Sequence, residues 1–433
     1  MVKTVLVTGS KGFVGRNLCV SLAQRQDVRF LLCYDVDSAP EELERALNEA
    51  EVIFHLAGVN RPEHVDEFKT GNADFTTFLC DRLLSLRRTP LVVLSSSVQA
   101  TLDNPYGHSK RLAEQAVESY AQACADLCSS SKPESGILNP QLSNDHSLPP
   151  SLASPCPCVS DSPFAIIYRL PNVFGKGCRP NYNSAVATWC HNIARGLPIQ
   201  VRDPEALLTL VYVDDVVHEF LTVLSEAKAE DENQRSALLA SAPSRLCVYK
   251  DIAPTYTRKL GEISDLIHAF KGSRGTIQVP DQGDGFSKKL YATYLAALPE
   301  DQFAYPLKMN TDARGSFTEF LKTPERGQVS VNVSKPGIVK GNHWHHTKVE
   351  KFLVVSGKGV IRFRKVVGVT QHEDASGCGI MEYVVSGEKL EVVDIPPGYT
   401  HNIENVGDTD MVTVMWASEP FDPARPDTYF EKV

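Results

Sequence analysis

No apolar run in this 433-residue chain approaches the roughly 20 residues that a helix needs to cross a bilayer. The opening Met1-Val2-Lys3-Thr4-Val5-Leu6-Val7-Thr8-Gly9 has too short an apolar stretch for a secretory signal and reads as a strand. Basic residues are outnumbered, 44 against 53 acidic, for a formal charge of −9, and no Lys/Arg cluster could track a nucleic-acid backbone. Nucleic acid and membrane insertion are therefore not expected; a pocket holding a small anion with a few local arginines is. The 11 cysteines are odd in number and scattered, which speaks against a disulfide framework and for reduced thiols in a cytoplasmic protein. With 42% hydrophobic and 22% charged residues, the composition is that of a globular enzyme, and the length suggests two domains.

Short apolar runs alternate with helical spacing over the first 120 residues. Val5–Val7, Phe30–Tyr34, Val52–Leu56 and Leu91–Leu94 read as strands buried on both faces, and Gly15–Gln26 and Phe68–Arg87 as helices. That alternation predicts an α/β Rossmann-type, doubly wound parallel sheet. Residues 128–163 are rich in Ser and Pro and lack apolar periodicity, so they read as a disordered insert. The nearby Cys124, Cys128, Cys156 and Cys158 are read as free thiols, not a metal clip. The pattern resumes at Phe164–Leu170 and Leu208–Val213, followed by helical segments Tyr256–Phe270 and Phe286–Leu298. Beyond Pro299, short Val/Ile/Phe/Thr strands punctuated by Gly, Pro and Asn predict an all-β barrel or jelly roll. The expected domains are 1–300 and 301–433.

Gly9-Ser10-Lys11-Gly12-Phe13-Val14-Gly15 follows the first strand and opens the first helix, where glycines let a backbone approach a pyrophosphate. Asp35 ends the second strand about 20 residues on, at the position of an acid that meets ribose hydroxyls. Tyr106 and Lys110, four apart, share a helix face, so an ammonium ion there would lower the phenol's proton affinity. Ser95-Ser96-Ser97 closes the preceding strand. These motifs resemble the extended short-chain dehydrogenase/reductase family. The resemblance implies Ser97, Tyr106 and Lys110 as catalytic residues, with Ser97 preferred to Ser96. It places Gly9, Lys11, Gly12, Phe13, Val14, Gly15, Asp35, Leu56, Ala57, Gly58, Tyr106 and Lys110 at the dinucleotide. It places Arg61, Asn72, Arg169, Asn172 and Arg179 on the substrate side, Asn72 by supporting the active-site helix. The spacing of nine residues from Ser97 to Tyr106 is shorter than in most extended members.

His343 and His345 are two apart, so on a strand both imidazoles face one side. Glu350 needs a turn around His346-Thr347-Lys348 to join them, and His401 arrives from a distant strand. Three imidazoles and a carboxylate suit zinc, manganese, iron or nickel. Gly337-x5-His343-Trp344-His345-x4-Glu350-x6-Gly357 and Pro396-Pro397-Gly398-x2-His401-x3-Asn405 resemble the two cupin motifs, with Leu390 where a glycine is usual.

The fusion of a reductase to a cupin resembles a family of bifunctional capsular-polysaccharide enzymes. The likeness is closest over His55–His64, Asp103–Gly107 and Lys335–Phe363. The resemblance implies C3 epimerisation of a UDP-4-keto-6-deoxy-HexNAc in a zinc-binding cupin, then NADPH-dependent reduction at C4. The product would be UDP-2-acetamido-2,6-dideoxy-L-talose, on the route to N-acetyl-L-fucosamine. It also implies a UDP-amino-sugar substrate and a homodimer. Asp35 suits NADH better than NADPH, and Lys11 or Arg61 would supply the compensating charge. His346, Lys348 and Tyr399 are candidate bases. Two alternatives stand beside this reading: an NAD-dependent nucleotide-sugar 4-epimerase or dehydratase with a structural cupin, and a non-catalytic nucleotide-sugar sensor.

Overall fold

The computed structural model describes residues 3–130, 163–226, 246–366 and 379–433. All but the ends of the expected Ser/Pro-rich insert, Cys156 and Cys158 included, lies outside the described residues. The chain divides into two compact units. One comprises Met1–Asn192, Gly196–Ser264 and Ala292–Ala297; the other comprises Ile193–Arg195, Asp265–Tyr291 and Leu298–Val433. The segment Asp265–Tyr291 thus groups with the C-terminal unit, where the sequence placed it before the boundary. Its backbone explains why: Val279 donates to the Lys322 carbonyl and Lys322 to that of Ile277, both at 2.9 Å.

In the first unit, β1 (Lys3–Thr8), β2 (Val28–Tyr34), β3 (Val52–His55), β4 (Leu91–Ser97) and β5 (Ala165–Leu170) precede β6 (Asn172–Phe174) and β7 (Leu207–Tyr212). β8 (Cys247–Lys250) and β9 (Thr255–Lys259) complete it. The main sheet is parallel, in the order β2-β1-β3-β4-β5-β8, and β6-β7-β9 form a small second sheet. Strand residues alternate between two cores. Leu6, Ile53, Leu94 and Ile167 face α2 (Pro40–Glu49), α3 (Phe75–Ser85) and α4 (Pro105–Ser130). Val7, Phe54, Val93 and Tyr168 face α1 (Phe13–Ala23) and the helix Val213–Glu226. The strand order reverses between β1 and β3, which puts the ligand crevice of such a sheet beyond their carboxyl ends.

Two local expectations change. β2 is an edge strand with Phe30 half exposed, so its apolar run is not buried on both faces. Tyr256–Lys259 pairs with β7 as part of β9, and the helix begins only at Leu260, because the Thr255-Tyr256-Thr257 run prefers the pleat.

The strands that build the sheets of the second unit pair antiparallel: β10 (Asn310–Asp312), β11 (Gly315–Thr323), β12 (Gly327–Ser334), β13 (Val339–Trp344), β14 (Glu350–Ser356) and β15 (Lys358–Lys365) come first. β16 (Met381–Ser386), β17 (Val392–Ile395), β18 (Tyr399–Asn405), β19 (Met411–Ala417) and β20 (Tyr429–Phe430) follow. They form two sheets, β10-β11-β12-β19-β14-β17 and β16-β15-β18-β13-β20. Phe352, Val393 and Met411 of the first pack with Ile361, Phe363 and Ile403 of the second in one core, so the sheets lie face to face. A Rossmann-type sheet followed by a jelly-roll sandwich is the expected fold class.

Candidate functional site

The dinucleotide turn is built from two strand ends. Gly9 has φ +68°, and a Cβ there would fall 2.7 Å from the Ala57 nitrogen, so the turns after β1 and β3 approach as only glycine permits. Gly12 donates to the Gly9 carbonyl at 3.0 Å, Phe13 and Val14 open α1 toward Gly15, and Leu56–Gly58 follow β3. Asp35 accepts from the backbone of Lys11 at 2.7 Å and of Val36 at 2.9 Å. The Lys11 ammonium pairs with Asp37.

Ser97, Tyr106 and Lys110 come together at this switch point. Ser97 accepts from the Gln99 backbone at 3.2 Å, and its hydroxyl acts to lower the Tyr106 phenol's pKa. Ser96 instead gives its hydroxyl to the buried Glu114 at 2.5 Å, leaving Ser97 as the serine beside the phenol. Lys110 donates to the Ser95 carbonyl at 3.2 Å and lies 5.9 Å from the Tyr106 ring centre. The expected lowering of the phenol pKa is not what this geometry produces. Burial raises Tyr106 above its usual value and Ser97 offsets only part of it. Burial likewise lowers Lys110 to about 8, partly offset by Glu114.

The substrate-side residues separate into two groups. Asn72 is fully buried in a π-helical turn, Lys69–Asp74. Its amide is spent on both backbone groups of Val59, at 2.9 Å each, and on the Ser109 hydroxyl at 3.0 Å. It therefore ties the loop after β3 to α4 and has no group left for a substrate. Arg169 grips Glu114 with two nitrogens, at 2.9 and 2.6 Å, and stacks on Tyr249. Arg61 donates to the Asn181 carbonyl at 2.7 Å, Arg179 lies over the Tyr182 ring, and Asn172 is exposed. Glu114, the hub of this network, was missed in the sequence, although it sits four residues past Lys110 on the same helix.

In the second unit His343, His345, Glu350 and His401 converge, their ligand atoms all within 4.8 Å of one another. Two features aim them. A bulge at Asn342 (φ +60°) lets both Gly341 and His343 follow one another against Asn402 and His401, which turns His343 inward. Glu350 does not share the histidines' strand: it starts β14, in the opposite sheet, after the loop His346–Lys348. Glu350 Oε2 lies 3.4 Å from Nε2 of both His345 and His401, yet these buried atoms have no hydrogen-bond partner among the described residues. His345 Nδ1 donates to the Asp427 carbonyl at 2.5 Å, so its Nε2 presents a lone pair to the carboxylate. Lone pairs facing each other need a cation between them. Donors bound to one tetrahedral ion at about 2.1 Å stand roughly 3.4 Å apart, which fits. Burial, then the neighbouring His401, lowers His343 to about 4, which keeps it a neutral ligand at ordinary pH.

Asp427 had no local sequence signal, being some 80 residues from the loop it serves. Its carboxylate accepts from the backbone of His346, Thr347 and Lys348 at 2.9, 3.0 and 2.9 Å. Among the candidate bases, His346 is exposed and packs on Trp344 and Tyr429, and Lys348 is tied to Pro426 and Thr428. A cavity of about 540 Å³ beside the β10–β11 hairpin touches none of these groups. Its cations are spent, Arg314 on Asp312 and Lys340 on Asn332 and Val333.

The pattern of the NAD dependent epimerase/dehydratase family matches residues 5–131 and 160–236, and that of the polysaccharide biosynthesis C-terminal domain matches residues 310–429. Fold and site define a nicotinamide-dependent, nucleotide-sugar enzyme of the reductase/epimerase type. A Pseudomonas aeruginosa protein named UDP-2-acetamido-2,6-beta-L-arabino-hexul-4-ose reductase is 40% identical over 425 residues, covering 98% of this chain and 97% of its own. The chain belongs to the family of that reductase, and in it an epimerase/dehydratase domain is joined to a polysaccharide biosynthesis C-terminal domain. The crystal structure of the capsular polysaccharide assembling protein CapF from Staphylococcus aureus is 47% identical, with a TM-score of 0.78 over 99% of this chain and 100% of that one. A Bacillus subtilis spore coat polysaccharide biosynthesis protein, SpsL, is 26% identical over 127 residues, 28% of this chain and 81% of its own.

Proposed function

We propose that the chain is a two-site enzyme. Its C-terminal unit inverts C3 of a UDP-4-keto-6-deoxy-HexNAc, and its N-terminal unit then reduces the C4 ketone with NADPH to give UDP-2-acetamido-2,6-dideoxy-L-talose. The observation that carries the reading is the pairing, in one chain, of Ser97–Tyr106–Lys110 with an inward-facing His₃Glu cluster. The order follows from carbonyl chemistry: the C3 proton is acidic only while C4 is a ketone, so inversion precedes reduction.

In the first site, His343, His345, Glu350 and His401 would hold a zinc ion, which when bound supplies Lewis-acid stabilisation of charge on the C4 oxygen. With His346 and Lys348 engaged elsewhere, Tyr399 is the residue to move the C3 proton. It lies two residues before His401 on β18, hence on the same inward face. In the second site the Gly9–Gly15 turn, Asp35 and Lys110 would hold the nicotinamide dinucleotide, which when bound would supply hydride for C4. Tyr106, protonated because burial raises it, gives its proton to the C4 oxygen, with Ser97 positioning that oxygen and Lys110 holding the ribose. Lys11 is the cation for the 2′-phosphate. Its pair with Asp37 is exposed to water, which screens the attraction, so exchanging partners costs little. We place the enzyme in the cytoplasm as a homodimer; sedimentation at micromolar concentration would show a monomer were that wrong.

The test is to supply the 4-keto UDP-sugar in deuterated buffer and follow C3 exchange and NADPH oxidation together. Wild-type protein should show both, and Tyr399→Phe should lose exchange. NADPH oxidation that proceeds without any deuterium at C3 would defeat the two-site reading.

A further inference from the structure

Cys19 and Cys33 take no part in the chemistry above. Cys19 lies on α1 and Cys33 on the edge strand β2, with their sulfurs 3.7 Å apart. Cys33 is exposed and Cys19 partly so, whereas Cys80, Cys124, Cys128 and Cys190 are buried. Burial raises the thiols of Cys80, Cys124, Cys128, Cys178, Cys190 and Cys247. Cys33 goes the other way, downward, because its contact with Cys19 favours the thiolate there while raising Cys19. An accessible thiol of low proton affinity with a second thiol in contact has the attributes of a redox-responsive pair.

We propose that Cys19 and Cys33 are an oxidisable dithiol whose disulfide weakens dinucleotide binding. The oxidant is a hydroperoxide. The Cys33 thiolate attacks its terminal oxygen, the O–O bond breaks, and water or an alcohol leaves, giving a sulfenic acid. Cys19 then attacks that sulfur, its proton leaving with the hydroxyl as a second water, and the S–S bond forms. Two thiols are oxidised and one peroxide is reduced.

Coupling to the cofactor site follows from Ser10, the second residue of the dinucleotide turn. The sulfurs must close from 3.7 Å to a bonding distance of about 2 Å, which shifts β2 beside Tyr34, whose carbonyl accepts from the Ser10 hydroxyl at 3.5 Å. The adjoining Tyr34 carbonyl accepts from the Gly9 backbone at 2.9 Å, so a shift of β2 is felt where the turn begins.

The experiment treats the full chain with equimolar hydrogen peroxide, alkylates free thiols and maps cross-linked peptides. The expected result is a Cys19–Cys33 link, with NADPH affinity weakened about tenfold and restored by dithiothreitol. Cys19→Ser should bind NADPH as the reduced wild type does and leave a dimedone-reactive sulfenic acid on Cys33. Absence of the link in wild-type protein, or a link that leaves NADPH affinity unchanged, overturns the proposal.

Discussion

Lys110 is a buried cation that the fold would be more stable without. Its pKa of about 8 lies below the ordinary 10.5, so the charged form is the disfavoured one inside the protein. Below pH 8 folded and unfolded chains both carry the proton, and the folded chain bears the full cost. Between 8 and 10.5 the folded chain releases it first, so stability rises with pH through that window. Lys110→Met should therefore raise stability at pH 7 by up to roughly 3 kcal/mol while abolishing NADPH oxidation; calorimetry and a rate assay decide it. In wild-type protein the reduction rate should fall as pH rises through about 8, since the charged form does the work. Gly58 is the complementary case. A Cβ there would sit 2.6 Å from Asn72 Oδ1 and 3.2 Å from Lys110 Nζ. Asn72 cannot yield without releasing Val59, so Gly58→Ala should cost about 1–3 kcal/mol and slow reduction while leaving C3 exchange intact. A variant with wild-type melting temperature and turnover would show that the loop adjusts freely.

At the scale of elements, the candidate metal cluster owes its shape to a bulge, a change of sheet and the C-terminal segment. None of the three was legible in the residues, which showed only the shared histidine face and the need for a turn. The His-x-His spacing announced a shared face, and the five-residue step to Glu350 required a turn, though not that Glu350 would start a strand of the other sheet. The bulge at Asn342 left no mark, because a register shift depends on the partner strand. Asp427 was invisible for the same reason: its partners are backbone groups remote in sequence. Its carboxylate holds His346–Lys348 while its carbonyl holds His345. Asp427 sits at φ +38°, where alanine would add strain, so Asn and Gly are the informative substitutions. Asp427→Gly should weaken zinc affinity about 10–100-fold, with Asp427→Asn between. Chelator competition measures this, and equal affinities in all three proteins would show that the segment does not support the ligand. The reductase elements were more legible, since strand–turn–helix motifs are local. The Tyr256–Phe270 segment misled because apolar and β-branched residues there fit a strand end as well as a helix start. The spent side chains of Asn72 and Arg169 were illegible, because their partners Val59 and Glu114 meet them only in the folded chain.

On the scale of the whole molecule, each unit carries one constellation, and the proposed chemistry assigns each a separate step on one sugar. The fold class could be read from the change in texture after Pro299, because buried parallel strands and antiparallel sandwich strands pattern differently. The boundary could not, since Asp265–Tyr291 joins the second unit through backbone pairing at Ile277 and Val279, which no side-chain pattern records. Separate steps mean that the two activities should come apart under mutation. The most direct measurement gives Tyr106→Phe the 4-keto UDP-sugar and NADPH in deuterated buffer. Oxidation of NADPH should drop about 10²–10⁴-fold while deuterium enters C3 at the wild-type rate. If exchange at C3 collapses together with oxidation, one site performs both reactions and the division of labour is wrong.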